Sequence, residues 1–312
     1  MDGNIILSIV IPTYRRASFL ETTVGCFVNQ IETDNLRGKI EVLIGNDSPA
    51  GDATAALMGS AINKHDFVRG FNHPKNLGFS KNVEFLIEEA RGEYILICGD
   101  DDLLKEGSLA YILKCIKEKR PNFILINTSN IISLDDANRS FRIIQENRLR
   151  ISRNIFVENF ERDRALLKPA YNWLYLTNFI SANVFKKELF KAESANAGRL
   201  VRPGNAYAFQ APIIIGISKY GRLLLIAECL ALHRKTEPDY DWPYHAGGIF
   251  KIDLFDSTEI SRLVKEYIPD EYKKYKKLYA AFVLEDLILE TKRGMKTSRI
   301  RGFSWIAFSK NL

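Results

Sequence analysis

Gly92-Glu93-Tyr94-Ile95-Leu96-Ile97-Cys98-Gly99-Asp100-Asp101-Asp102 contains a continuous apolar run between two glycines, followed at once by three carboxylates. A short, uninterrupted apolar run of this kind fits a strand buried on both faces, as in a parallel sheet covered by helices. The neighbouring sequence repeats the theme. Ile5 to Ile11, Ile40 to Gly45, His65 to Arg69 (weaker) and Phe123 to Ile126 read as further strands. Between them, Ser18 to Gln30, Asp52 to Ile62, Phe79 to Ala90 and Leu109 to Lys119 read as helices. The first is predicted to open with a capping box of Ser18 and Glu21, and Gly92 to stop the third. Strand and helix alternate, so the first half is predicted to be a doubly wound α/β sheet.

Outside this half the periodicity weakens. Ile131 to Ser152 reads as a polar connection or excursion, Asn178 to Phe185 and Arg222 to Leu232 as strands, Ala211 to Tyr220 as an apolar segment, and Glu271 to Thr291 as a helix. The 312 residues are 46% hydrophobic and 26% charged, which excludes a disordered, collagen-like or small disulfide-bonded protein. One composite domain with a tail is expected. The net charge of +6 comes from the tail: Lys292, Arg293, Lys296, Arg299, Arg301 and Lys310 are unopposed there, and the remaining chain carries 38 residues of each sign. A nucleic-acid partner is not expected, because no basic face or reading element runs through the body. Cys26, Cys98, Cys115 and Cys229 have no paired spacing and read as reduced core residues. No cationic-then-apolar leader precedes the first strand, and the apolar stretch after Ala211 is cut by Lys219 and Arg222, too short for a membrane span. The expected compartment is the cytoplasm.

Ligands of open parallel sheets bind beyond the carboxyl ends of the strands. Three such ends carry polar clusters here: Pro12-Thr13-Tyr14-Arg15-Arg16, Asn46-Asp47-Ser48 and Gly99-Asp100-Asp101-Asp102. Adjacent carboxylates raise one another's pKa unless a cation or hydrogen-bond donors offset them. A hard divalent cation, Mg2+ or Mn2+, does so while binding substrate phosphates, so the triplet points to a diphosphate. The plainer reading is a cap on the following helix. Tyr14 offers a ring for stacking on a base and Asp47 an acceptor for a base or ribose, though either suits a turn. Asn76-Leu77-Gly78-Phe79-Ser80-Lys81-Asn82 opens a helix whose free amides favour phosphate.

Together, Ser8-Ile9-Val10-Ile11-Pro12-Thr13-Tyr14-Arg15-Arg16, Glu41-Val42-Leu43-Ile44-Gly45-Asn46-Asp47-Ser48, Asn76-Leu77-Gly78 with Lys81-Asn82, and Gly92 to Asp102 resemble glycosyltransferase family 2, in order and at family spacing from about Ser8 to Leu104. The resemblance implies a GT-A fold, a Rossmann-like doubly wound, mostly parallel sheet with a C-terminal helical extension. It implies transfer of a sugar from a nucleotide-diphosphate donor to an acceptor hydroxyl with a divalent cation, Mn2+ or Mg2+. Residues 1–130 would form the nucleotide-sugar-binding half, 131–240 the acceptor-binding half and 241–312 the helical extension with its basic tail. Donor contacts carry over to Pro12, Thr13, Tyr14, Arg16, Asp47, Asn76, Lys81 and Asp100, and metal contacts to Asp100, Asp101 and Asp102. Lys81 stands where the family often has arginine, which loses the planar fork.

The family's Glu-Asp pair, about ten residues before a segment like Lys219-Tyr220-Gly221-Arg222, is replaced by Phe209-Gln210, neither of which accepts a proton at neutral pH. A subgroup of bacterial surface-polysaccharide transferases with Gly-Asp-Asp-Asp and without the pair is similar. Candidate bases are His233, Asp239, Asp241 and His245, and His233 is equally a candidate for touching the metal or diphosphate. Asp239-Tyr240-Asp241-Trp242 reads as an acceptor rim or a plain loop. The cationic, aromatic tail suits contact with an anionic membrane surface beside a lipid-linked glycan acceptor, or a helix docked on the protein. The expected function is a metal-dependent glycosyltransferase of polysaccharide or glycolipid synthesis. The alternatives are a non-catalytic sugar-nucleotide or membrane-binding module and, further off, a nucleotidyltransferase.

Overall fold

The computed structural model describes residues 5–135, 140–202, 204–234 and 257–292. Strands β1 (Leu7–Thr13), β2 (Ile40–Asn46), β3 (Val68–Asn72) and β4 (Tyr94–Ile97) are parallel and neighbour one another in the order β3-β2-β1-β4. The sheet continues through β9 (Asn183–Lys186), antiparallel to both its neighbours, to β6 (Phe123–Asp135) and β10 (Leu223–Arg234), which are again parallel. The two-residue strand β5 (Leu103–Leu104) ends the order against β10. Along this order the strands are parallel except for β9 and the short β5, which pairs antiparallel with β10, so the sheet is mostly parallel as predicted.

Alternation explains the two cores. Leu7, Ile9 and Ile11 of β1 and Ile40, Val42 and Ile44 of β2 point to one face, where Leu20, Val24, Phe27 and Ile31 of α1 (Ala17–Thr33) cover them. Val10 and Leu43 point to the other face, against Val83, Leu86 and Ile87 of α3 (Phe79–Glu89). With both faces covered, the strands are apolar throughout, and strand period alone does not mark their sides.

Several expectations are corrected. Ser18 lies inside α1; the cap position belongs to Arg16, and no side-chain capping bond forms there, so the predicted capping box is absent. Residues 131–152 are not a formless connection: β6 runs on to Asp135 and is paired antiparallel by β7 (Ser140–Gln145). Their polar character reflects exposure of β7, in which Phe141, Ile143 and Ile144 are also exposed. The apolar segment after Ala211 is a helix, α8 (Gln210–Tyr220), buried from Gln210 to Ile217. Asn178 to Phe185 is strand only from Asn183, because Ile180–Ala182 forms a 3-10 turn. The helix α7 (Lys187–Leu200) gave no clear signal in the sequence. Helices Ser257–Tyr267 and Pro269–Lys292, with Ile268 between them, place Ile260, Leu263, Val264, Ile268 and Tyr275 in the same core cluster as α8.

Helix α3 ends at Glu89 with Ala90 as its cap, so Gly92 does not stop it. Gly92 is instead required by proximity: a Cβ there would lie 2.6 Å from the Ser8 amide nitrogen and 2.9 Å from the Leu7 carbonyl carbon. Its own amide donates to Ser8 Oγ at 2.8 Å, and Ser8 Oγ donates to buried Glu41 at 2.7 Å. Because backbone rather than a flexible side chain is in the way, Gly92→Ala should destabilise by about 1–3 kcal/mol. Thermal or urea melts check this; an unchanged midpoint would mean that β1 and β4 are free to separate at this end.

Candidate active site

The three predicted strand ends meet. Thr13, last residue of β1, donates from Oγ1 to Asp100 Oδ2 at 2.7 Å. Arg16 extends Nη1 to Asp100 Oδ1 at 3.0 Å and to Asp101 Oδ2 at 2.7 Å, so one guanidinium nitrogen spans two carboxylates. The turn carrying the aspartates is anchored from beneath by Thr23 of α1, whose hydroxyl lies 2.8 Å from the Asp100 carbonyl and 3.1 Å from that of Asp102. Asp102 turns inward. Ser181 Oγ donates to its Oδ2 at 2.5 Å, and the Arg234 amide approaches its Oδ1 at 3.4 Å. His233 Nδ1 lies 3.0 Å from Asp102 Oδ1. The Asp102 side chain is 3% exposed against 27% for His233, so the imidazole links the buried carboxylate to accessible space. Gly99 permits this crowding, since a Cβ there would stand 2.8 Å from Asp102 Oδ2 and 3.1 Å from Asp101 Oδ1.

At the second strand end, Asp47 is buried and both its oxygens accept backbone amides, from Leu77 at 2.7 Å and Gly78 at 2.8 Å. The Asn76 side chain also accepts from the Gly78 amide, at 2.9 Å. Asp47 therefore binds the loop before α3, and these two amides are not free for phosphate. Ser48 Oγ accepts from the Arg15 amide at 2.7 Å, drawing the first two strand ends together, and the Arg15 guanidinium carbon lies 5.4 Å from the Tyr14 ring centroid. Pro12 is buried within β1. Lys81 is exposed on α3, where its charge acts on Glu84. Asp239, Asp241 and His245, the acceptor-rim segment and the cationic tail from Arg293 lie outside the described residues.

The model of the family described as Glycosyl transferase family 2 matches residues 8–190, more than half of the chain. The chain belongs to glycosyl transferase family 2. Abequosyltransferase RfbV of Salmonella typhimurium is 28% identical over 193 residues, 60% of this chain and 54% of that protein. Glycosyltransferase GlyG of Streptococcus pneumoniae is 22% identical over 197 residues, 62% and 61% of the two chains. The chain thus spans between half and two thirds of the length of these curated relatives. Among solved structures, S. aureus TarS 1-349 in complex with UDP-GlcNAc is similar with a TM-score of 0.58 at 13% identity, over 86% of this chain and 73% of that one. Mannosyltransferase PcManGT from Pyrobaculum calidifontis, in complex with GDP-Man and Mn2+, gives 0.52 at 14% identity, over 98% and 85%. At such identities the likeness shows the fold, and the fold is GT-A.

Family 2 helps to locate what the sequence left out. Phe209 and Gln210, the residues expected to stand in place of the family's acidic pair, are buried at the start of α8. Phe209 packs edge-on to Phe79 with centroids 6.3 Å apart, while Gln210 donates from Nε2 to Asn178 Oδ1 at 2.8 Å. Tyr275, on the helix Pro269–Lys292, donates to the same oxygen at 3.0 Å. Next to Asn178, the Phe179 ring meets His233 edge-on at 4.5 Å. Ser181, which accepts from the Gly99 amide at 2.9 Å besides holding Asp102, was not singled out from sequence. It lies about 80 residues from its partners inside a segment that reads as strand, and no local pattern marks it.

Burial and the neighbouring Asp101 charge push Asp100 up to about 6, against the opposing pull of Arg16 and Thr13. Asp101 is also raised, by burial and by the charge of Asp102, while Arg16 and His233 act in the other direction. The thiol of Cys98 is pushed up by burial, then by Asp102, and is therefore unreactive at neutral pH. Cys26 and Cys115 are buried too, and Cys229 is half-buried.

Because Asp100 holds its proton more tightly folded than unfolded, its contribution to stability is full below about pH 4 and is lost as pH rises towards about 6. In a chelator-containing buffer, wild type should lose more stability than Asp100→Asn between those values, and the two should run parallel above about pH 6.5. Thermal midpoints across pH 4–8 test this; equal slopes would show Asp100 ionising like an exposed carboxylate.

Proposed function

We propose that this chain is a metal-dependent glycosyltransferase that moves a sugar from a nucleotide-diphosphate donor to a hydroxyl of a glycan or lipid-linked glycan. The observation that carries the reading is the convergence of Asp100, Asp101 and Asp102 with Thr13, Arg16 and His233 at the carboxyl edge of a GT-A sheet. Glycosyl transfer of this kind is supported by the family and by relatives that include a GalNAc(5)-diNAcBac-PP-undecaprenol beta-1,3-glucosyltransferase of Campylobacter jejuni, 26% identical over 113 residues. Nucleotide-diphosphate donors are supported by the UDP-GlcNAc and GDP-Man carried by its structural neighbours.

The donor set fits a hard divalent cation. Asp100 and Asp101 are buried carboxylates with raised pKa values, and a hard cation supplies the counter-charge they need. Asp101 and Asp102 would hold it, with diphosphate and water as its remaining ligands, and it would supply neutralisation of the charge developing on the departing nucleoside diphosphate.

The chain's own groups divide the remaining work. Thr13 and Arg16 keep Asp100 oriented and offset its charge, and Arg16 also offers a guanidinium to a diphosphate. Asp47 shapes the loop before α3 and so one wall of the nucleoside pocket; Pro12 and Tyr14 would line it, with Asn76 and Lys81 at its rim. With Phe209 and Gln210 unable to take a proton, His233 is the candidate base among the described residues: when Nδ1–H faces Asp102, Nε2 presents its lone pair. Asp239 and Asp241 remain candidates in the same role. The basic tail would hold the enzyme at the cytoplasmic face of an anionic membrane; among the described residues no helix is long and apolar enough to cross one.

The first test is a thermal-shift screen with uridine, guanosine, cytidine and thymidine diphosphates, each with and without Mn2+. Binding at 100 times Kd should stabilise by about 2.7 kcal/mol, and a metal-dependent shift with one of them is expected. The absence of any shift in folded protein would sink the donor-site reading. With a donor in hand, Asp102→Asn should lower turnover by roughly 10²–10³-fold, by analogy with the loss of one oxyanion donor. The replacement of the acidic pair by Phe209-Gln210 favours one other reading, a non-catalytic binder, which donor binding without transfer or hydrolysis would establish.

A further inference from the structure

Strand β6 carries Asn127-Thr128-Ser129-Asn130 where its length reaches the edge of the site, and all four side chains are buried, with relative exposures of 0, 0, 0 and 5%. Four consecutive polar residues in the interior of a sheet are costly unless each finds partners. Asn127 does: its amide group bonds Asn147 and the Ala227 carbonyl, and its oxygen accepts from the Leu149 amide. Thr128 Oγ1, Ser129 Oγ and Asn130 Oδ1 have no hydrogen-bond partner, although the Asn130 amino group donates to Gln145 of β7 at 2.7 Å.

Alternation sorts these groups by face. Ile131 and Leu232 cluster with Cys26 of α1, and Arg234 lies over Phe19 on the same side, which puts Ser129 there as well. Thr128 and Asn130 take the opposite face. His233 is in register with Asn130 on the neighbouring strand and meets Phe179 on that opposite face. The Arg148 amide donates to the Thr128 carbonyl at 3.3 Å, and its guanidinium carbon stands 6.0 Å from the Phe179 ring. The two unpartnered side chains therefore share a face with the imidazole that reaches from Asp102 towards accessible space. Beside them, the pairing of β6 with β7 is irregular between Asn130 and Ile131, the kind of bulge that re-aims side chains next to binding sites.

We infer that Thr128 and Asn130 form a hydroxyl-reading subsite for a sugar ring, placed two strands along the sheet from the strand that carries Asp100 to Asp102. This rests on the donor-site reading above and extends it to the ring. A threonine hydroxyl can both donate and accept, and the Asn130 carbonyl accepts from a sugar hydroxyl; both are then satisfied by a polyol and by little else that is neutral. The ring belongs either to the donor or to the acceptor, and the same chemistry serves both.

The test uses Thr128→Val and Asn130→Leu in the full chain. Titration with the nucleoside diphosphate selected by the thermal-shift screen, plus Mn2+, reports the donor site itself and should be unchanged in both variants. Titration with the matching nucleotide sugars (UDP-glucose and UDP-GlcNAc if uridine diphosphate is selected, GDP-mannose if guanosine diphosphate) should weaken about three- to tenfold if the subsite reads the donor ring. If it reads the acceptor, nucleotide-sugar affinity stays at the wild-type value and KM for acceptor rises by that factor at unchanged donor KM. Because Thr128→Val replaces an unpartnered buried hydroxyl with a methyl of similar shape, its thermal midpoint without ligand should not fall. Unchanged nucleotide-sugar affinity together with an unchanged acceptor KM, or a midpoint lowered in Thr128→Val, would overturn the subsite. Loss of nucleoside-diphosphate binding by wild type would instead remove the reading beneath it.

Discussion

Three consecutive carboxylates held out of water at the end of a buried strand are the constraint around which this molecule is arranged. Each carries a desolvation cost and repels its neighbour, and the chain meets that cost differently at each position. Asp100 receives the hydroxyl of Thr13 and shares the Arg16 guanidinium with Asp101. Asp102 is tied to Ser181 and His233. The first strand, the fourth strand, the 3-10 turn before β9 and the last strand are thereby tied to one another through the three carboxylates.

The arrangement also explains why the two halves of the sheet cannot act separately. The first parallel strands and the turns after them supply Thr13, Arg16 and the aspartates, whereas Ser181 and His233 come from the later part of the sheet. The C-terminal helices join through a second polar path: Glu259 accepts from Asn205, whose carbonyl receives the Ser80 hydroxyl at the start of α3, and Tyr275 bonds Asn178 beside Phe179. The region expected to be an extension is packed into the site's own support.

Replacement of the family's acidic pair by Phe209 and Gln210 has a structural counterpart. Phe209 is absorbed into an aromatic contact with Phe79, and Gln210 into a buried amide pair with Asn178. A carboxylate at either position would lie in an apolar or fully enclosed setting, so the substitution is consistent with the surrounding packing.

The alternation of apolar strands with amphipathic helices, and the polar residues placed directly after three of those strands, were readable from the chain because they depend on local period and on neighbours in sequence. That is why the parallel half of the sheet and the Asp100–Asp102 turn were anticipated closely. The capping box at Ser18, the stop at Gly92 and the formless stretch from Ile131 were misread for the complementary reason. Arg16 is drawn away by Asp100 and Asp101, Gly92 is required by the backbone of β1, and the extension of β6 is stabilised by β7. Sequence alone determined which polar residues follow which strands. Tertiary structure decided that Asp47 serves two backbone amides, that Ser181 and His233 share Asp102, and that the Thr128 hydroxyl and the Asn130 side-chain oxygen are buried without partners. Those outcomes depend on groups tens of residues apart meeting in a low-dielectric interior, where every donor and acceptor must be matched in space and no local pattern records the partner.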